Sequence, residues 1–132
     1  MRILLIYSTV DGHTREIAER ISEVLTGPEH IIETVSLDTG PVPGPDGFDR
    51  VVIGASVRYG RHRENVLDYI NAHAETLAGV PGAFFSVNLV ARKPNRRDVD
   101  NNPYVRKFMR LIRWQPDEVA LFAGKLDYPR YS

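Results

Sequence analysis

The sequence alternates five short apolar runs with segments of helical periodicity, and this alternation restricts the fold more than any other feature. The apolar runs are Arg2–Tyr7, His30–Leu37, Arg50–Ser56, Gly82–Asn88 and Glu118–Gly124. The first and the third are apolar on both faces through their middle, which is typical of strands buried on both sides in a parallel sheet. We therefore predict a strand at each run.

Three segments between these runs have the spacing of amphipathic helices: His13–Leu25, Arg63–Leu77 and Pro103–Trp114. In the first segment, the predicted apolar face consists of Ile17, Ile21, Val24 and Leu25. The proline- and glycine-rich stretch Asp38–Asp49 predicts a loop. Strands that alternate with helices form a parallel sheet covered on both sides. Five such strands suit a single α/β, flavodoxin-like doubly wound domain over residues 1–132, with strand order 2-1-3-4-5.

The pattern stops soon after the fifth strand, because only "KLDYPRYS" follows it. A helix that hides about 500 Å² of apolar surface would contribute on the order of 10 kcal/mol before entropy. We therefore expect that the last helix of the fold is missing from this sequence. A second copy of the chain would be one way to cover the exposed flank, so a homodimer stays an open alternative.

Composition excludes several classes of function. The chain has no cysteine, which excludes disulfides, iron–sulfur clusters and cysteine nucleophiles. Its 17 basic and 17 acidic residues cancel, so net charge gives no indication of a nucleic-acid partner. No apolar segment approaches the ~20 residues that span a bilayer, and the start does not resemble a signal peptide. We expect a cytoplasmic protein.

The loop between the first strand and the first helix combines hydroxyl groups with a glycine. Ligands of open α/β sheets bind at the carboxyl ends of the strands, where a helix N-terminus favours anions. Ser8, Thr9 and Thr14 offer hydroxyl donors, and Gly12 lets the backbone approach closely. We predict a phosphate site that uses no cationic side chain. Capping of the helix by Asp11 or Thr9 is the alternative.

The motifs that are absent narrow the choice of phosphate ligand. The sequence has no G-x-x-x-x-G-K-[ST] motif and no G-x-G-x-x-G after the first strand. It also lacks the acidic residues that a receiver domain places at the end of that strand. A site for flavin mononucleotide (FMN) is what remains. After the third and fourth strands, Tyr59 could stack on the flavin ring and Asn88 could bond its polar edge, although Tyr59 could instead be a half-buried aromatic.

Five stretches together resemble the family of flavodoxin-like, menaquinone-dependent protoporphyrinogen oxidases. They are "STVDGHTREIA", "DRVVIGASVRYGRHR", "FFSVNLVARKP", "YVRKFM" and "LDYPRY". The resemblance implies an FMN enzyme of haem biosynthesis that oxidises protoporphyrinogen IX to protoporphyrin IX. It also implies that electrons pass to menaquinone and that the protein associates with the inner face of the cell membrane. The family continues beyond "YPRY" with an amphipathic segment and a closing helix, which are absent here.

The resemblance also implies which residues hold the cofactor. The phosphate loop would consist of Ser8, Thr9, Asp11, Gly12, His13 and Thr14. The first ring loop would consist of Ala55, Ser56, Val57, Arg58, Tyr59 and Gly60, and the second of Ser86, Val87, Asn88 and Leu89.

The segment from Arg92 to Arg113 is strongly basic, with eight basic residues against two acidic ones. The candidates for substrate binding are Arg92, Lys93, Arg96 and Arg97. They could pair with the propionates of a porphyrinogen or with anionic lipid, or form a solvated basic loop. Positive charge near the ring, from Arg58 and Arg61 as well, would stabilise reduced flavin. The lack of interleaved aromatic residues argues against a nucleic-acid patch.

Few residues suggest direct chemistry. His62 follows the first ring loop and could move a proton near neutral pH, although an exposed histidine at a helix start is the alternative. No spacing of His, Asp and Glu suggests a metal site. Besides the protoporphyrinogen enzyme, two functions stay open: a flavodoxin-like electron carrier or generic quinone reductase, and a binding module without flavin.

Overall fold

The structure, a computed structural model, describes residues 1–9, 12–58, 61–87 and 102–122. The strands within these ranges are β1 (Arg2–Ser8), β2 (Ile31–Ser36), β3 (Arg50–Arg58), β4 (Arg61–His62), β5 (Gly82–Val87) and β6 (Glu118–Phe122). The helices are α1 (His13–Leu25), α2 (Glu64–Ala72), α3 (Ala74–Ala78) and α4 (Pro103–Leu111).

The five longer strands form one parallel sheet in the order β2-β1-β3-β5-β6. The predicted flavodoxin-like order 2-1-3-4-5 is therefore confirmed. The short strand β4 was not predicted, and it pairs antiparallel with the end of β3. In the register of the sheet, Ala55 of β3 lies between Ser8 of β1 and Ser86 of β5. These three residues form one row at the carboxyl edge.

Each face of the sheet has its own core, which explains why the strands are apolar on both sides. On one face, Ile6, Ile53 and Phe84 pack with residues of α2, α3 and α4. On the other face, Leu5 and Phe85 pack with residues of α1. Neighbouring residues of one strand therefore belong to different cores, as the pleat requires.

The predicted helix Arg63–Leu77 is wrong as one continuous element, because it breaks at His73. The His73 ring Nδ1 lies 3.0 Å from the Tyr69 carbonyl oxygen, which also accepts the His73 N–H. This competition for one carbonyl is a local departure from regular helical bonding. The third predicted helix ends early as well, because Ile112 is already extended at φ −90° and ψ 149°.

Among the described residues, none covers the flank beside β6 on the α1 face of the sheet. Ile21, Phe85 and Phe122 line a groove of about 480 Å³ there. Val24, which the helical pattern placed on the apolar face of α1, is instead 69% exposed. In the part of the chain that the structure describes, no helix has the length and apolar character needed to cross a bilayer.

Candidate functional site

The ends of β1, β3 and β5 bring the starts of the three predicted loops to one edge of the sheet. Ser8, Ala55 and Ser86 are neighbours in the strand register and are all buried or nearly so. This edge is where open α/β sheets bind their ligands. The topology therefore places the first residues of the predicted phosphate loop and of both predicted ring loops at the same edge.

The phosphate loop leads into α1 through Gly12. Gly12 is the N-cap residue at φ 89°, a backbone conformation that side chains with a Cβ adopt rarely. A Cβ at this position would meet nothing within 4 Å, so the left-handed backbone, and not lack of space, requires glycine. In the described ranges no side chain caps the helix, so its first N–H groups and the positive end of its dipole are available to an anion at this edge.

Thr9 stabilises the turn before α1 and does not cap the helix itself. Its Oγ1 accepts a 2.9 Å hydrogen bond from the Gly12 N–H. The alternative in which Thr9 is the helix cap is therefore wrong. The other capping candidate, Asp11, lies outside the described residues.

Two buried hydroxyl groups face the α1 side of this edge without a hydrogen-bond partner in the described ranges. Thr14 Oγ1 belongs to the first turn of α1 and Ser56 Oγ belongs to β3, and both atoms are buried. A buried hydroxyl that makes no hydrogen bond is unfavourable by about 1–3 kcal/mol. A ligand with phosphate and carbonyl oxygens would remove this penalty. The residues present therefore fit FMN at this edge.

A carboxylate that the sequence interpretation missed organises the opposite side of the phosphate loop. Asp38 follows β2 and accepts four hydrogen bonds, from Ser8 Oγ at 2.8 Å, Thr9 N at 2.9 Å, Asn65 Nδ2 at 2.9 Å and Arg63 Nη2 at 3.1 Å. Burial by itself would raise the pKa of Asp38, but these bonds outweigh burial and lower it below the usual 3.8. Asp38 is therefore an anion beside the loop. Its place directly after a strand was the available signal.

Ser8 already has partners for its hydroxyl group. It donates its one proton to Asp38 and accepts a 3.0 Å bond from Arg63 Nε. In this arrangement Ser8 links β1 to Asp38 and Arg63, and its role as a phosphate ligand stays a prediction. The Arg63 guanidinium lies beside the start of this loop, bonded to Ser8, and the expectation that the phosphate itself is held without a cationic side chain stays a prediction. Arg63 and Asp38 form an ion pair, so their charges largely cancel.

His62 is buried, and the alternative of an exposed histidine at a helix start is therefore wrong. Its Nε2 lies 2.6 Å from Ser86 Oγ, and its ring packs against Phe84 and Phe108 at centroid distances of 5.6 and 4.7 Å. Burial lowers the pKa of His62 to about 3. The ring is neutral near pH 7, which contradicts the interpretation of His62 as a residue that exchanges a proton there.

The other predicted site residues divide into two groups. Ala55 and Val87 are buried in the two cores, Val57 is half-buried, and Arg58 is the last residue of β3. His13 is the first residue of α1. The predicted residues that lie outside the described ranges are Asp11, Tyr59, Gly60, Asn88, Leu89, Arg92, Lys93, Arg96 and Arg97.

The fold and the carboxyl edge define a protein of the flavodoxin class, and comparison supports this. The family model for the flavodoxin domain matches residues 4–132. The fold is similar to oxidised flavodoxin 1 of Bacillus cereus, with a TM-score of 0.65 and 15% identity over 99% of this chain and 91% of that one. It is also similar to an FMN-bound mutant flavodoxin of Fusobacterium nucleatum, with a TM-score of 0.56 and 14% identity over 90% and 67% of the two chains.

Sequence comparison identifies a family within the flavodoxin class. The chain is 43% identical over 131 residues to the protoporphyrinogen IX dehydrogenase [quinone] of Escherichia coli, covering 99% of this chain and 72% of the relative. It is 38% identical to the Leishmania major protein of the same name, covering 99% of this chain and 57% of that one. The chain belongs to the family of quinone-dependent protoporphyrinogen IX dehydrogenases, which are oxidoreductases with a flavodoxin domain. The resemblance found in the sequence is confirmed.

Proposed function

We propose that this chain binds FMN at the carboxyl edge of its sheet, with the phosphate at the start of α1. The observation that carries the proposal is the pair of buried, unpartnered hydroxyls of Thr14 and Ser56 on the same side of that edge. The N-cap residue, Gly12, has no side chain of its own, which leaves the helix start able to receive an anion. Ser56 lies where the first ring loop begins, so its hydroxyl suits the polar groups of the flavin.

The reaction that we propose is the oxidation of protoporphyrinogen IX to protoporphyrin IX in haem biosynthesis, with menaquinone as the electron acceptor. Relatives named for protoporphyrinogen IX and a quinone support it. When bound, FMN would supply the flavin ring that takes up hydride from the porphyrinogen. The residues of the chain would position the reactants, and His62, whose pKa burial lowers to about 3, would be too weak a base to hold a proton near pH 7. Arg92, Lys93, Arg96 and Arg97 would pair with the propionates of the substrate.

Contact with the cytoplasmic face of an anionic membrane is part of the proposal, because a lipid-soluble quinone has to reach the flavin. Helix α4 supports this contact. Arg106, Lys107 and Arg110 are exposed on it, and Leu111 is 50% exposed at its end. Cations next to an exposed apolar side chain suit an anionic bilayer surface, where each basic residue contributes about 1 kcal/mol of attraction.

A flavodoxin-like electron carrier is the second candidate. It is favoured by the neutrality of His62, which removes the one proton-transfer candidate that the sequence had suggested. The two functions differ in one observable, because only the dehydrogenase takes electrons directly from protoporphyrinogen IX.

The first test is a titration of the purified chain with FMN and with riboflavin, followed by quenching of flavin fluorescence. We expect FMN to bind at least about tenfold more tightly than riboflavin, since a charge-assisted hydrogen bond is worth about 1.5–3 kcal/mol. Thr14→Val should reduce this preference, whereas the matched variant Thr34→Val, at an exposed position of β2, should keep it. Equal binding of both flavins by the unchanged protein would contradict a phosphate site.

The second test is the addition of protoporphyrinogen IX to the FMN-loaded protein without oxygen. Loss of the oxidised flavin absorbance at the rate of substrate oxidation would support the dehydrogenase. FMN binding without such bleaching would favour the electron carrier.

A further inference from the structure

Two consecutive residues, His62 and Arg63, bind the strands on either side of β3. The His62 Nε2 lies 2.6 Å from Ser86 Oγ of β5, and the Arg63 Nε donates a 3.0 Å bond to Ser8 Oγ of β1. Ser8 and Ser86 belong to the same row of the sheet, with Ala55 of β3 between them. The two side chains therefore reach in opposite directions across one row.

The backbone of this segment is fixed to the strand in the middle. His62 pairs with Val57 in the antiparallel register of β3 and β4, and the Arg63 N–H donates a 3.2 Å bond to the Ser56 carbonyl oxygen. The segment is thus attached to β3 by its main chain and to β1 and β5 by its side chains.

The attachment to β5 has a defined hydrogen-bond direction. The His62 ring is neutral, and its buried Nδ1 has no partner in the part of the chain that the structure describes. A buried N–H without an acceptor is rarer than an unpaired acceptor. We therefore assign the proton to Nε2, which donates it to Ser86 Oγ. Phe84 and Phe108 hold the plane of the ring.

The attachment to β1 is an orienting contact more than a charge attraction. Arg63 donates from Nε to Ser8 and from Nη2 to Asp38, and Asp38 also accepts the Ser8 proton and the Thr9 N–H. The ion pair with Asp38 offsets the charge that Arg63 would present to an anion. The planar guanidinium instead fixes the relative positions of Ser8 and Asp38, which flank the start of the phosphate loop.

We propose that His62 and Arg63 form a clip across β1, β3 and β5 that sets where the phosphate loop and the second ring loop begin. Both are positioning residues: Arg63 acts through Ser8 and Asp38, and His62 acts through Ser86. The consequence for a bound flavin rests on the proposed FMN function, whereas the clip itself can be tested without ligand.

The ligand-free test is amide hydrogen exchange of the protein with one arm of the clip removed at a time. Arg63→Met should speed exchange at the end of β1, in residues 7–9, at least about tenfold, and leave the end of β5 unchanged. His62→Phe should do the reverse, with faster exchange in residues 85–87. Matched controls are Arg20→Met, at an exposed position that pairs within α1, and His73→Phe, between α2 and α3. Neither control should change exchange at this edge.

If a variant does not fold, the same arm can be removed from its other end. Ser8→Ala replaces Arg63→Met, and Ser86→Ala replaces His62→Phe. Because the members of each pair share a contact, the combined effect of both changes on exchange should be smaller than the sum of the two single effects. Equal loss of protection at both strand ends in both variants, or additive effects within a pair, would overturn the clip.

The flavin test separates the two arms by ligand chemistry. Arg63→Met should reduce the ratio of FMN affinity to riboflavin affinity about tenfold, since loss of Ser8 orientation acts on the phosphate loop. His62→Phe should leave that ratio within about twofold and shift the visible absorption band of the bound flavin. If both variants changed the affinity ratio and the absorption band in the same way, the positioning roles would be overturned. If the unchanged protein does not bind FMN but the exchange pattern splits as expected, the proposed function fails and the clip stands.

Discussion

The ring of Phe85 in β5 occupies the space directly beside the Cα of Gly54 in β3. A Cβ at Gly54 would overlap the Cζ, Cε1 and Cε2 atoms of that ring. The two residues are paired in the register of the parallel strands, so neither can move away without disturbing the sheet. Close packing of this kind is where added volume is tolerated least.

We therefore expect Gly54→Ala to lower the free energy of unfolding by about 1–3 kcal/mol, the usual penalty for overpacking. Urea unfolding followed by circular dichroism would measure it. Gly27→Ala is the matched control, because a Cβ there meets nothing within 4 Å. A Gly54→Ala protein as stable as the control would contradict the close approach of Phe85.

Protonation of His62 should destabilise the protein in acid. Its pKa falls from 6.5 to about 3 on folding, so between these pH values His62 is protonated in the unfolded chain and neutral in the folded chain. The contribution is fully present above pH 6.5 and is lost as the pH falls toward 3, by about 1.4 kcal/mol per pH unit. Between pH 7 and pH 5 we expect about 2 kcal/mol of lost stability.

His62→Phe should remove this dependence between pH 5 and pH 6.5. Asp38 affects stability in a lower pH range, because its pKa in the folded protein lies below 3.8. Its contribution is present above pH 3.8 and is lost as the pH falls through the folded pKa. Urea unfolding at several pH values would separate the two groups. An unchanged slope above pH 5 in His62→Phe would show that another group is responsible.

The two serines at the ends of neighbouring strands should respond oppositely to removal of the hydroxyl. Ser56 Oγ has no partner in the described ranges, so Ser56→Ala should leave the ligand-free protein equally stable or more stable by up to about 1 kcal/mol. Ser86 Oγ contacts His62 at 2.6 Å, so Ser86→Ala should destabilise it by about 1–3 kcal/mol. Thermal unfolding without flavin would compare them. Similar losses in both variants would mean that the Ser56 hydroxyl is bonded.

The start of α4 depends on one side chain. Asn102 is fully buried, and its Oδ1 accepts hydrogen bonds of 3.1 Å from the Tyr104 and Val105 N–H groups, with Pro103 at the first helical position. Asn102→Ala should lower the free energy of unfolding by about 1–2 kcal/mol, whereas Asn102→Asp, which keeps the accepting oxygen, should lose less. Chemical unfolding of the three proteins would rank them. Equal losses in both variants would argue against the cap.

The strand order could be predicted from the sequence because it follows from local composition. Strands that are apolar on both faces need helices on both sides, and right-handed connections then leave few arrangements. The break at His73 could not be predicted in this way, because the apolar stripe of the segment continues through it. At His73 the backbone leaves helical geometry, with φ −115° and ψ 20°, and the ring Nδ1 lies 3.0 Å from the Tyr69 carbonyl oxygen.

The position of the candidate site at the carboxyl edge of the sheet could be predicted from the sequence, but the hydrogen bonds among its residues could not. Glycine and hydroxyl residues after the first strand indicate an anion site from local chemistry alone. Asp38, Arg63 and Ser8 are far apart in the sequence and meet only in the folded chain. For the same reason His62, between an arginine and another arginine, looked exposed, although Phe84 and Phe108 enclose its ring.

The antiparallel pairing of β4 with β3 fixes the directions of the side chains along β4, because successive residues of a strand point to opposite faces. Two residues separate Arg58 from Arg61, and the alternation that follows decides which side chain reaches β5 and which reaches β1. Because the pairing with Val57 fixes the direction of the histidine, inserting one residue within β4, between Arg61 and His62, would exchange the directions of the histidine and the arginine. The histidine and the arginine therefore cannot shift by one residue relative to Val57 without exchanging their contacts with β5 and β1.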